Sequence, residues 1–169
     1  TVIGDSVALR SSAAFSSLLP NAQLDAAVSR SFDNAFEIFQ NEISSGTLSK
    51  TTVLAIGVNS LDHYQEDIQQ FIDALPDGYR LIIVTPYNAS DEAKVKQARD
   101  YELSLPKTYN YITIADWYKT ATSHPEIWNG TDGVHYSDAN TTGADLYVKT
   151  IQKAIDKSAK RPAKGESNS

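Results

Sequence analysis

Val2-Ile3-Gly4-Asp5-Ser6-Val7-Ala8-Leu9-Arg10 opens the chain as strand, turn and helix. Val2 and Ile3 are a short β-branched run, Gly4-Asp5-Ser6 is a turn, and Val7 to Arg10 begin a helix. A strand that turns sharply through Gly into a helix presents a serine hydroxyl at the carboxyl edge of a sheet. The serine amide then lies at the helix N-terminus, where unpaired N–H groups favour developing negative charge. A nucleophilic serine is served by that position. Asp or Ser before a helix is equally an N-cap, so the partners farther along the chain decide between the two readings.

Outward from this stretch, strands and helices alternate. Val7 to Leu19 reads as a helix ended by Pro20-Asn21, and Gln23 to Val28 as a second strand leading into Ser29-Arg30-Ser31. Phe32, Phe36, Phe39 and Ile43 form an apolar helical stripe that closes near Gly46. Thr51 to Ile56 and Arg80 to Val84 are apolar runs of the kind buried on both faces of a parallel sheet. The first ends in Gly57-Val58-Asn59-Ser60 and the second in Thr85-Pro86-Tyr87-Asn88. A helical segment, Leu61 to Leu75, separates them, and a polar helix from Ser90 to Leu105 is expected to stop at Pro106. Tyr111 to Ala115 is a fifth strand, Trp117 to Thr122 a short helix, 124–137 a long loop, and Ala139 to Ala159 a closing helix.

This alternation predicts an α/β fold, a three-layer α/β/α sandwich around a five-stranded parallel sheet. Residues 1–158 form a single domain, and the polar residues 159–169 are expected to be a disordered tail. Sites in such sheets form at the carboxyl ends of strands. Ser6, Ser29, Asn59 and Asn88 all follow strands and are therefore expected at one edge.

The chain has 169 residues, 41% of them hydrophobic, and a net charge of −6. That charge argues against nucleic acid or an anionic membrane surface as partner. No apolar run approaches the roughly 20 residues of a membrane span, and no signal peptide is visible. Absent cysteine excludes disulfides and catalytic thiols. Because the first strand starts almost at Thr1, the chain is expected to be a domain excised from a longer protein.

A serine nucleophile needs a base. Of three histidines, His135 stands three residues after Asp132 in Thr131-Asp132-Gly133-Val134-His135-Tyr136. Within a loop that spacing lets the carboxylate hold one imidazole nitrogen while the other accepts a proton from Ser6, the triad logic in the order Ser, Asp, His. His63 reads as a solvated residue and His124 as a loop residue, and the scattered histidines predict neither metal nor cofactor. An oxyanion would be met by the Ser6 amide and the Asn59 carboxamide, although Asn after Gly is also a turn former. Tyr87, Trp128 and Tyr136 are candidate sugar-stacking rings that otherwise serve packing.

Gly4-Asp5-Ser6, Gly57-Val58-Asn59 and Asp132-x-x-His135, in that order, resemble the SGNH (GDSL-type) hydrolase superfamily over about residues 1 to 158. The resemblance implies the five-stranded, flavodoxin-like three-layer fold. It also implies Ser6 as nucleophile, His135 as base, Asp132 as its orienter, and Asn59 with the Ser6 amide as oxyanion hole. One departure concerns the second block, where the family usually places a Gly that donates its N–H. Here Val28-Ser29-Arg30-Ser31 contains none. Either the Ser29 amide takes that part or the hole has two donors and hydrolysis is slow.

Gly4-Asp5-Ser6-Val7 with Leu9-Arg10, the absent Gly, and Asp132-Gly133-Val134-His135 are further similar to the C-terminal extracellular domain of bacterial peptidoglycan O-acetyltransferases of the A type. This resemblance implies acetyl transfer to the C6 hydroxyl of N-acetylmuramoyl residues in the glycan strand. It also implies delivery of the acetyl group by a membrane acyltransferase region of the same full-length protein, and a monomeric domain on the outer face of a bacterial membrane. The alternatives are a carbohydrate or lipid esterase of the same fold and a catalytically silent glycan-binding module.

Overall fold

The computed structural model describes residues 1–59 and 61–167, so Ser60 and the last two residues of the expected tail lie outside it. β1 (Val2–Gly4), β2 (Leu24–Ala26), β3 (Thr51–Ala55), β4 (Arg80–Val84) and β5 (Ile112–Ala115) form one sheet in the order β2-β1-β3-β4-β5. Every pairing is parallel, with Gly4 beside both Ala26 and Ala55. The chain moves from β1 outward to β2, then returns to place β3 on the other side of β1. The β1/β3 boundary is therefore the topological switch point, where open α/β sheets leave a crevice at the strands' carboxyl ends.

Because side chains alternate along a strand, each central strand feeds both layers. Ile3, Leu54, Leu81 and Ile83 point into a core shared with Phe32, Phe39, Ile68 and Phe71. These come from α3 (Phe32–Ser45) and α4 (Tyr64–Ala74), and α5 (Glu92–Thr108) completes that layer. Val2, Val53, Ile82 and Val84 point the other way, onto Phe15, Trp117, Tyr147 and Ile151. That layer contains α1 (Ser6–Arg10), α2 (Ser12–Leu18), α6 (Trp117–Ser123) and α7 (Thr142–Ala159). Apolar residues on both sides of the strands explain why their sequences read as unbroken hydrophobic runs.

Among the differences from the sequence reading, four concern helix ends and the tail. The first helix breaks at Ser11, whose hydroxyl donates to the Val7 carbonyl and meets the Tyr136 hydroxyl. Pro106 lies within α5 rather than after it. A proline this near the end removes one hydrogen bond without stopping the last turn. The closing helix starts at Thr142 rather than Ala139.

The fourth difference is the tail, which is packed through the described residues to Ser167. Ala163 is buried, and Lys164 pairs with the 78–79 turn through the Gly78 N–H to Lys164 carbonyl and Lys164 N–H to Tyr79 carbonyl bonds, each 2.8 Å. Arg161 donates to the Pro106 carbonyl, and Lys164 Nζ to the Ile72 carbonyl. These carbonyls lie in the last turns of α5 and α4, where acceptors lack helical donors and favour cations. Polar composition alone suggested disorder, but here the polar groups bind helix ends.

Candidate active site

The turn that carries Ser6 is built by close approach. A Cβ on Gly4 would collide with the Ala8 Cβ, so only Gly lets α1 pack against the end of β1. Asp5 caps the helix with its carboxylate, accepting from the Val7 N–H at 3.0 Å. It accepts also from the backbone N–H groups of Ala8 and Val58, so it ties the turn to the loop after β3. Burial pushes its carboxyl up to about 6, against the opposing pull of these N–H donors and of His135. Ser6 is the first residue of α1, and its amide has no acceptor among the described residues.

Ser6 Oγ lies 2.7 Å from His135 Nε2, and His135 Nδ1 lies 2.8 Å from Asp132 Oδ2. The Asp132 Oδ1 atom accepts from the N–H groups of Val134 and His135, closing a tight turn that places the imidazole above its own loop. Gly133 makes this turn possible at φ 78°. Its carbonyl accepts from the Ala89 N–H, and a Cβ there would press on Ala89 at 2.7 Å. The His135 side-chain hydrogen bond, then the His135 and Val134 N–H groups, hold the Asp132 carboxyl well below the usual carboxylate range. An ionised carboxylate, an oriented imidazole and a serine hydroxyl in one hydrogen-bonded chain can move a proton off Ser6 and stabilise the imidazolium that results.

Asn59, after β3, donates from Nδ2 to the Arg30 carbonyl at 3.4 Å. Ser29 occupies the left-handed region at φ 59°, a conformation glycine adopts freely, so the turn persists without the glycine. Tyr87 and Trp128 are half-buried and pack on each other with centroids 4.8 Å apart. The Trp128 indole N–H is bound to the Ala121 carbonyl.

Tyr136 is buried rather than presented as a sugar-stacking ring. Its edge meets Trp117, and its hydroxyl reaches Ser11 and the Val7 carbonyl, because it points inward where His135 points outward. His63 and His124 lie beside Glu66 and Glu126, away from this chain of bonds. Among the described residues, no three His, Asp or Glu gather as for a metal ion.

Two contributors escaped the sequence reading. Arg10 donates from Nε to the Tyr136 carbonyl at 2.7 Å, linking the end of α1 to the residue after His135. The other is Arg30, on the turn after β2. The nearest signal for Arg10 was the Leu9-Arg10 helix start, while nothing in local spacing marks Arg30.

A parallel sheet with Ser6 at the β1 edge and an Asp-x-x-His loop before the last helix is the arrangement of SGNH-type acyl-transferring enzymes. No family model matches the chain. The C-terminal catalytic domain of Streptococcus pneumoniae peptidoglycan O-acetyltransferase A (OatA), solved with a methylsulfonyl adduct, is 41% identical. It superposes with a TM-score of 0.92 over 98% of this chain and 96% of that one. The O-acetyltransferase OatA of Staphylococcus aureus is 27% identical over 162 residues, which cover 89% of this chain. The chain spans 24% of the length of that curated relative. An acylhydrolase-class protein of Bacteroides fragilis shares the fold at a TM-score of 0.71 and 13% identity. The chain belongs to the family of OatA catalytic domains.

Proposed function

We propose that this domain O-acetylates peptidoglycan, moving an acetyl group through an acetyl-Ser6 intermediate to the C6 hydroxyl of N-acetylmuramoyl residues. The observation that carries the reading is the hydrogen-bonded chain from Ser6 Oγ through His135 to Asp132. In the first half-reaction His135 Nε2 takes the Ser6 proton as Oγ attacks the acetyl carbonyl. The oxyanion is met by the Ser6 N–H and the Asn59 carboxamide, with the Ser29 N–H as a third candidate donor. Collapse expels the donor's leaving group, which receives the proton from His135. In the second half the sugar hydroxyl gives its proton to His135 and attacks acetyl-Ser6, and Ser6 Oγ leaves as the hydroxyl. Asp132 stays ionised throughout, holding the imidazole in the tautomer the transfer requires.

Water competes for acetyl-Ser6, so transfer depends on positioning the acceptor hydroxyl and excluding water. Slow esterase activity accompanies it. No helix among the described residues is long and apolar enough to cross a membrane. In the reading proposed here the acetyl donor is delivered by a membrane acyltransferase region of the full-length protein, and this domain works as a monomer on the outer face of the membrane. The half-buried Tyr87–Trp128 pair is assigned to the rim of the sugar site.

The test is mass spectrometry of products from an activated acetyl ester, with and without a muropeptide-like or chito-oligosaccharide acceptor, beside Ser6→Ala. A sugar heavier by one acetyl group, lost in Ser6→Ala, is the expected result. Free acetate alone, indifferent to acceptor, would replace the reading with an esterase. No turnover by either protein would leave a glycan-binding module.

A further inference from the structure

Arg30 joins all three segments from which oxyanion donors are expected. Its guanidinium side chain is only 10% exposed and forms an ion pair with the Asp25 carboxylate at 2.8 Å. Nη1 of the same group donates to the Asp25 carbonyl at 2.6 Å and to the Gly4 carbonyl at 3.3 Å. Gly4 is the last residue of β1, two residues before Ser6, and its carbonyl also accepts from the Ala27 N–H. Through its own main-chain carbonyl, Arg30 accepts from Asn59 Nδ2. Ser29, the residue before it, is held at φ 59°.

We infer that Arg30 is the positioning residue of the oxyanion site, doing with its side chain and carbonyl what the family's second-block glycine does by lacking a side chain. The inference rests on the acyl-transfer reading above. A guanidinium suits the task because its planar fork offers several donors in fixed directions and keeps its charge. One fork arm takes Asp25 while the other spans the carbonyls of β1 and β2, which fixes the turn between them. That restraint holds Ser29 in the left-handed region, which a residue with a Cβ enters only at a steric cost.

The carbonyl contact acts on Asn59. A carboxamide has an acceptor end and a donor end, and a carbonyl partner accepts only from the donor end. Bound this way, Asn59 keeps its second N–H for an oxyanion. Arg30 itself touches no reacting atom. Removing the guanidinium leaves that main-chain carbonyl in the chain but frees the turn that aims it at Asn59, and the turn carrying Ser6 loses a lateral restraint.

The experiment is a double-mutant cycle of Arg30→Ala and Asn59→Ala, read as kcat and KM on an activated acetyl ester at a temperature where every variant is folded. Arg30→Ala is expected to lower kcat about 10- to 100-fold with KM within about twofold, short of the 10²–10³ lost when a donor is removed outright. In the Asn59→Ala background the same substitution should cost at least about threefold less than in the wild type, because one of the segments it positions no longer carries a donor. Arg30→Lys, which keeps the charge on Asp25 but not the fork, should fall between wild type and Arg30→Ala. It also replaces Arg30→Ala in the cycle if that variant does not fold.

Losses that multiply across the cycle, or a change confined to KM, would overturn the assignment. A lysine variant indistinguishable from wild type in kcat would do the same. The acyl-transfer reading fails separately, if Ser6→Ala keeps the turnover of the wild type.

Discussion

Asp5→Asn probes the turn behind Ser6. Asp5 is 2% exposed, and burial pushes its carboxyl up from 3.8 to about 6 against the N–H donors of Val7, Val58 and Ala8 and the charge of His135. In the unfolded chain the group loses its proton at the lower value. Between the two values the native state keeps a proton that the unfolded chain has released. Stability therefore falls as pH rises through this window and levels off above it. At roughly 1.4 kcal/mol per pH unit, the wild type should lose about 2–3 kcal/mol relative to Asp5→Asn between about pH 4 and about pH 7.

For a chain of 169 residues that loss is a relative Tm shift of about 5–10 °C. Thermal unfolding of both proteins in half-unit pH steps measures it, each series referenced to about pH 4, where the native side chain is neutral in both. The fixed difference between acid and amide then cancels. His135, Tyr136 and Tyr147 all interact with the Asp5 charge, a coupling that only the wild type has and that is part of the shift being measured. A gap between the two Tm series that stays flat from about pH 4 to about pH 7 refutes the reasoning. It would mean that the three N–H donors solvate the ionised carboxylate as well as water does.

Other perturbations test separate parts of the molecule. Asp132→Asn keeps the size of the side chain and removes the charge that holds the imidazole; kcat on an acetyl ester should fall on the order of 10³–10⁴, and a loss under tenfold would deny Asp132 its role. Glu102 is 1% exposed and has a carboxyl oxygen without a hydrogen-bond partner among the described residues, and burial first, then Asp116, push its carboxyl well above 4.5. Its native state holds the proton longer than the unfolded chain, so stability falls as pH rises past about 4.5, and Glu102→Gln should melt higher than wild type at neutral pH with the gap closing in acid. Deleting residues 160–169 removes the donors to the Pro106, Asn110 and Ile72 carbonyls and the buried Ala163. Urea unfolding should show a loss of about 2–4 kcal/mol, whereas an unchanged midpoint would mean that the segment adds nothing to the fold.

Strand runs and the short Asp132–His135 spacing were legible because they are local. Val53 to Ala55 and Leu81 to Val84 are apolar at every position, a pattern that only a strand covered on both faces explains. Asp132 and His135 lie within one turn of chain, so their pairing follows from spacing. Contacts between distant segments leave no such trace. Ser11 and Tyr136 are separated by 125 positions, and their meeting breaks the first helix and draws Tyr136 inward. The packed tail was missed for the same reason, since Arg161 is 55 residues from the Pro106 carbonyl it serves.

The missing second-block glycine shows how such distant contacts bear on function. A glycine at that turn would need nothing from its neighbours, because a residue without a Cβ enters the left-handed region at no steric cost. Ser29 in the same conformation needs restraint from outside the turn, and the groups next to it are the Arg30 guanidinium and the β1 and β2 carbonyls it binds. The site has thus exchanged a local property of one residue for a bonded arrangement of several. Such an arrangement couples the shape of the proposed oxyanion site to Asp25, Gly4 and Asn59 together. Substitutions at Asp25, on the exposed side of the ion pair, should therefore reach kcat even though Asp25 touches neither Ser6 nor His135.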